Sequence, residues 1–296
     1  MIVGIETGGT KVVCAAAHPE SPDVPVLTRR FPTTTPDETI GRIHAFVQEA
    51  TADEALEAVG LASFGPVDAD PSSPRFGWIT TTPKPGWSHV DLLGRVTAPG
   101  VPSAFVSDVV GAAVGELRYG AGRGTTSLAY ATIGTGVGVG MVLDGRPIGG
   151  DGWPEVGHLL VRRHPADEFA GNCPFHGDCL EGLTAGPAVL ARWGVDASSF
   201  PEDVRAQRLA ILASYIAQMA YSVMLTMGAQ RFVLGGGVMQ SAGLLEAVRR
   251  ALPEIARGYG PASLSSADPA HVLVAPGVAD SPGVVGALAL AADLLR

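Results

Sequence analysis

The sequence predicts an α/β protein, and three observations carry that reading. Apolar runs of strand length alternate with helical patterns along the whole chain. The order strand, glycine turn, strand occurs twice, at Ile2–Ala17 and again at Thr126–Leu143. Three glycine-rich turns, Gly8-Gly9, Gly134-Thr135-Gly136 and Gly235-Gly236-Gly237, each follow a strand-like run.

Taken in order, Ile2–Glu6 and Val12–Ala17 read as strands joined by Thr7-Gly8-Gly9-Thr10, and Val24–Arg30 as a third. Pro36 to Ala50 reads as a helix with Thr35 as N-cap, because a Thr hydroxyl can accept a first-turn N–H and Pro suits the first helical position. Ala58–Ser63 is a strand ending at Phe64-Gly65-Pro66. Ser103–Ser107 is another, running into a helix over Asp108–Tyr119 that stops at Gly120. The pattern restarts with Thr126–Ile133 and Val137–Leu143, an internal repeat of architecture with little sequence identity. A long helix near 202–229 follows, then Phe232–Leu234, a helix to about Ala256, a strand His271–Ala275 and a closing helix from Ser281. A domain boundary is placed in Gly120–Gly124. The lobes are then 1–120 and 121–280, with helix 281–296 packing back on the first.

The 296 residues include 46% hydrophobic and 17% charged residues, enough apolar content for one large or two modest cores. The net charge of -9 disfavours a phosphate backbone as partner. It leaves room for a small anion held by local backbone dipoles. The opening Met1-Ile2-Val3-Gly4-Ile5 has no basic stretch of a signal peptide, and three cysteines fit a reducing compartment, so a cytoplasmic location is expected. Leu209 to Gln230 carries no charge but holds seven polar residues, Ser214, Tyr215, Gln218, Tyr221, Ser222, Thr226 and Gln230. It is read as a buried central helix and not as a membrane span.

Chemistry concentrates in the middle of the chain. His158, Cys173, His176 and Cys179 lie in Glu155-Val156-Gly157-His158 and in Cys173-Pro174-Phe175-His176-Gly177-Asp178-Cys179-Leu180-Glu181. Four Cys and His ligands suit tetrahedral zinc in a closed, structural site. His164, in Arg162-Arg163-His164-Pro165, ranks below them as a ligand. The two turns Glu6–Lys11 and Ile133–Gly138 can each present N–H groups and Thr hydroxyls to phosphate oxygens. Neither is a Walker loop, and neither is a Rossmann fingerprint, because each opens onto a strand. Each turn alone reads equally as a tight hairpin. The matched pair with the third glycine triplet points to one nucleotide between two lobes.

In these motifs and their order the chain resembles the ROK family of sugar kinases (repressor, open reading frame and kinase), within the actin/hexokinase, ribonuclease H-like fold group. The resemblance covers nearly the whole chain. It is nearest the family's bacterial fructokinases, through Thr82-Pro83-Lys84-Pro85-Gly86-Trp87 and the cysteine segment. It implies a two-lobed fold with a zinc-binding segment, a cytoplasmic homodimer, and ATP with Mg²⁺. Gly8, Gly9, Thr10 and Lys11 would line one phosphate site, Gly134, Thr135 and Gly136 the other, and Gly235, Gly236 and Gly237 the adenosine site. Glu155, His158 and Glu181 would contact sugar hydroxyls, His158 also binding zinc, and Asp108 would be the catalytic base. Asp108 reads independently as a helix N-cap. Two departures stand out: Glu6 where most members have Asp, and Val110 where an Asn is usual.

The implied reaction is ATP-dependent phosphorylation of fructose at the 6-hydroxyl, with mannose as a second substrate. The rival sugars are glucose, mannose and N-acetylmannosamine. A sugar-responsive repressor needs a DNA-binding segment before the first turn, which here starts at residue 6. A zinc hydrolase or deaminase needs an open metal position and its own motifs, which are missing.

Overall fold

The computed structural model describes residues 1–149, 152–260 and 268–296. The chain forms two compact units. One comprises Met1–Arg123, Gly145–Pro154 and Val278–Arg296; the other comprises Gly124–Asp144 and Glu155–Gly277.

The first unit is built on a sheet with the order Leu27–Pro32, Lys11–Ala17, Ile2–Thr7, Ala58–Ser63, Ser103–Ser107. The first two pairings are antiparallel and the last two parallel. Alternation along Ile2–Thr7 sends Val3 and Ile5 to one face and Ile2 to the other. The Val3 face packs on Ile40, Ile43 and Phe46 of the helix Pro36–Ala50. Thr35 caps that helix, its hydroxyl accepting from the Glu38 N–H, and Pro36 begins it. The Ile2 face packs on Val284, Val285 and Leu288 of the C-terminal helix Pro282–Asp293.

That C-terminal helix lies almost against the sheet backbone, and glycines make this possible. A Cβ on Gly60 of the sheet would sit 1.9 Å from the Ala287 carbonyl oxygen, and one on Gly286 would sit 1.8 Å from the carbonyl oxygen of Gly111 in the neighbouring helix Asp108–Tyr119. Gly60→Ala must therefore push the helix off the sheet. We expect it to cost about 2–3 kcal/mol of unfolding free energy, read as a lower denaturation midpoint; an unchanged midpoint would contradict the contact.

The second unit repeats the plan. Leu128–Ile133 and Val137–Leu143 form a six-pair antiparallel ladder, from Leu128 opposite Val142 to Ile133 opposite Val137. The opening hairpin is also six pairs, from Ile2 opposite Ala17 to Thr7 opposite Val12. In each unit a parallel strand then adds beside the first hairpin strand, Ala58–Ser63 in one and Arg231–Gly235 in the other. The helix Glu202–Met227 is long and apolar enough to cross a membrane by length and composition, and 61% of its most apolar window is buried within the protein. Leu212, Tyr215, Ile216 and Met219 are among its inward residues.

Two sequence expectations are corrected. The third strand is Leu27–Pro32, and Val24 and Val26 are exposed in the turn before it. His271 and Val272 belong to a helical turn, Pro269–Val272, leaving only Leu273–Val274 as strand. Asp268 starts that turn by accepting the Ala270 N–H at 3.0 Å, with Pro269 at the first helical position.

Candidate active site and metal centre

The first unit gathers its functional motifs at one sheet edge. Thr7 pairs with Ser63, and Ser63 with Ser107, so the three strands end level. From that edge leave the turn Gly8–Thr10, the loop Phe64-Gly65-Pro66 and Asp108. The carboxyl ends of strands are where open α/β sheets bind ligands.

Asp108 is the first residue of the helix Asp108–Tyr119, and Ser107 is its N-cap, the Ser107 hydroxyl accepting from Val110 N–H at 3.4 Å. The capping role considered for Asp108 thus belongs to Ser107. The Asp108 carboxylate accepts the Val109 N–H at 2.8 Å, on a half-buried side chain. Val110 is fully buried, clustered with Ala62, Val106 and Ala287. An isopropyl group there packs and offers no hydrogen bond.

The turn itself is tightly braced. Gly8 N–H donates to Lys11 O at 2.8 Å, and the Thr33 hydroxyl to Gly8 O at 2.7 Å. Burial pushes the Glu6 carboxyl up, opposed by the nearby Lys11 charge and by the Val284 N–H that Glu6 accepts at 3.1 Å.

In the second unit, Thr132 pairs with Gly235, so Gly134-Thr135-Gly136 and Gly236-Gly237 leave one sheet edge. Gly236 has φ of 92°, and a Cβ on it would meet Ile133 N at 2.4 Å. Only glycine fits there. The turn 134–136 is stapled by Gly186 N–H to Gly134 O at 2.7 Å. Beside it, Glu181 accepts the Val137 N–H at 3.0 Å. A Cβ on Gly136 would come within 2.8 Å of that carboxylate. Glu155 is close enough to Glu181 and His158 to feel both. Burial pushes its carboxyl up, His158 pulls it down, and Glu181 adds to the rise. Glu155, His158 and Glu181 therefore share one neighbourhood with the second glycine turn.

His158, Cys173, His176 and Cys179 bring four ligand atoms within 4.8 Å of one another. His158 ends a 3₁₀ turn, Val156–His158. The next residues lie along the second cysteine, with Leu180 N–H donating to Leu159 O at 2.9 Å. Cys173 and Gly177 exchange two backbone hydrogen bonds, folding the Cys-Pro-Phe-His segment into a knuckle. His158 Nδ1 lies 3.8 Å from Cys173 Sγ and 3.5 Å from Cys179 Sγ, and His176 Nδ1 lies 3.8 Å from Cys173 Sγ. Tetrahedral zinc with bonds of ~2.3 Å to sulfur and ~2.0 Å to nitrogen sets such edges at about 3.6 Å. The donor set fits zinc in number, type and spacing. Burial pushes the Cys179 thiol up, and a metal would displace its proton.

His164 lies outside this cluster; its Nδ1 accepts the Ala166 N–H at 3.2 Å. Sequence reading missed the support around it. Tyr215 OH donates to Asp167 at 2.6 Å, and Arg192, itself buried, lies 3.2 Å from the same carboxylate. Arg163 reaches Asp178 and the Phe169 carbonyl, tying this segment to the cysteine knuckle. No spacing rule signals these pairs, since they join segments up to 48 residues apart.

The family model for ROK proteins matches residues 2–294. The chain belongs to the ROK family. Among relatives of this ROK protein, the fructokinase of Streptococcus mutans is 41% identical over 97% of this chain and 96% of that one. The fructokinase of Zymomonas mobilis is 40% identical over 97% and 95%. A solved ROK hexokinase from Thermus thermophilus superposes with a TM-score of 0.79 at 26% identity, covering 98% of this chain and 97% of that one. The α/β fold expected from the sequence is the one observed, built on two five-stranded sheets, and it matches that of the ROK hexokinase.

Proposed function

We propose that this chain is an ATP-dependent fructokinase that transfers the γ-phosphoryl group to the 6-hydroxyl of fructose. The observation that carries the reading is whole-length identity of about two residues in five to proteins named fructokinase. The site chemistry is consistent with it. Asp108 stands free of the capping task, at a strand end, and serves as the base that accepts the hydroxyl proton. Gly8, Gly9, Thr10 and Lys11 hold phosphate oxygens through N–H groups, a hydroxyl and a cation. Gly134, Thr135 and Gly136 do the same in the second unit, and Gly235–Gly237 leave room for the adenosine. Bound Mg²⁺ supplies neutralisation of charge on the phosphates.

Glu155, His158 and Glu181 take the sugar hydroxyls. Zinc on His158, Cys173, His176 and Cys179 acts as a scaffold, fixing His158 and the start of the helix that carries Glu181. Three free cysteines, two of them in this cluster, suit a reducing cytoplasm. The chain assembles as a homodimer, as the family resemblance implies.

The test is a panel of fructose, glucose, mannose and N-acetylmannosamine with ATP and Mg²⁺. We expect kcat/KM for fructose to exceed each rival by about tenfold or more, since a site built around particular hydroxyls penalises their misplacement. A higher kcat/KM for any other hexose would reassign the substrate.

A further inference from the structure

We propose that Lys84 is a nucleotide-contacting residue: its ammonium, docked on the turn Gly8–Lys11, binds the terminal phosphoryl group of ATP. The inference rests on the kinase reading above and adds a residue to it. Thr82-Pro83-Lys84-Pro85-Gly86-Trp87 marked the chain as fructokinase-like, yet nothing so far gives the segment a task.

Its placement is rigid and specific. Trp87 is fully buried, packs edge-on against Phe64 at 5.3 Å between centroids, and donates its indole N–H to Thr34 O at 2.8 Å. The neighbouring Thr33 braces the glycine turn at both Gly8 O and Thr10 O. The segment and the turn are thus anchored on adjacent residues. Pro83 and Pro85 restrict the backbone on either side of Lys84, and Gly86, with φ of 79°, turns the chain back into Trp87. The Trp87 N–H closes this turn on Lys84 O at 3.2 Å. From this frame Lys84 Nζ reaches Gly9 O at 2.5 Å.

The hydrogen bonds of the turn then sort by polarity. The carbonyls of Gly8, Gly9, Thr10 and Lys11 accept from Thr33, Lys84, Thr33 and Gly8 respectively. The N–H groups of Gly9 and Thr10, both exposed residues, have no protein acceptor among the described residues. Acceptors are consumed by the protein and donors are left over, which is the polarity of an anion site. Lys84 has no carboxylate partner among the described residues, so its charge is unspent. Gly9 O takes one of its three ammonium protons and leaves two. The group facing this turn is the terminal phosphoryl because the turn shares its sheet edge with Asp108. A base can accept the attacking hydroxyl's proton only beside the phosphoryl group under attack.

The experiment compares wild type, Lys84→Gln and Lys84→Arg by calorimetry with ADP and with a non-hydrolysable ATP analogue, both with Mg²⁺, and by steady-state kinetics. Gln keeps an N–H donor, on a side chain one bond shorter, and loses the charge. Lys84→Gln is expected to weaken the ATP analogue by about tenfold or more, to change ADP less than about threefold, and to lower kcat. Lys84→Arg should retain most of the preference for the analogue over ADP. Equal binding by Lys84→Gln and wild type, or an equal loss for both nucleotides, would overturn the assignment while leaving the kinase reading intact. A wild type that binds nucleotide but phosphorylates no hexose overturns the kinase reading instead.

Discussion

Asp108→Asn is expected to lower kcat by about 10²- to 10⁴-fold while fructose affinity stays within about threefold. The reasoning starts from what the substitution preserves. Ser107 caps the helix Asp108–Tyr119, so the helix start does not depend on residue 108. Asparagine keeps an Oδ1 to accept the Val109 N–H that Asp108 accepts at 2.8 Å. Volume and rotamer preferences are nearly unchanged, and the thermal midpoint should move by no more than a few degrees. What disappears is the proton acceptor. An amide oxygen is a far weaker base than a carboxylate, and the first turn of a helix favours the negative charge that the amide lacks. The loss should therefore fall on kcat and on kcat/KM together, the pattern of an interaction made in the transition state. Calorimetry with fructose and steady-state assays on the same preparation separate the two effects. Turnover within about threefold of wild type would remove Asp108 from the base role.

Much of the fold around the candidate site was legible in the sequence because its signals are local. A glycine turn between two strands needs only neighbouring residues to be recognised, and both six-pair hairpins formed where the sequence put them. The helix after Ser107 and the Thr35 cap follow from rules spanning three or four residues. The four candidate metal ligands lie within 22 consecutive positions, 158 to 179, and the knuckle at Cys173–Gly177 closes the segment by short backbone bonds.

Failures came where one local signal overrode another. Val272, Leu273 and Val274 look like one strand, but Asp268 and Pro269 start a helical turn that consumes Val272. Other features were invisible because they join distant segments. The Lys84 contact spans 75 residues, and the Glu181 bond to Val137 N–H spans 44. The buried Asp167, Tyr215 and Arg192 group looks, residue by residue, like ordinary surface and core types. The capping alternative for Asp108 likewise fell only with the geometry, since the Ser107 hydroxyl holds the Val110 N–H.

Cys179→Ser should give the second large effect: loss of zinc, a less stable second unit and a damaged sugar site. Cys179 is fully buried and stands at the start of the short helix Leu180–Thr184, which carries Glu181. Glu181 in turn braces the second glycine turn through Val137 N–H. A serine hydroxyl is a poor zinc ligand at neutral pH, and three remaining ligands hold the metal far less tightly than four. Wild type should carry about one zinc per chain by elemental analysis, and the variant close to none after dialysis. Because only one segment is clipped, the stability loss should be a few kcal/mol, a fall of about 5–10 °C in thermal midpoint. The kinetic signature separates scaffold from catalyst. A scaffold for Glu155, His158 and Glu181 predicts a rise in the KM for fructose of about tenfold or more, with a smaller change in the KM for ATP. Slow chelation of wild type should reproduce this, and excess Mg²⁺ should not reverse it. Cys14→Ala supplies the control. Its thiol is buried in the sheet of the first unit and belongs to no ligand cluster among the described residues, so that variant should keep its zinc. Zinc retained at wild-type level in Cys179→Ser would remove this cysteine from the ligand set. Full activity after complete zinc loss would mean that the helix start and Glu181 are held by backbone bonds alone, chiefly the Leu180 N–H on Leu159 O.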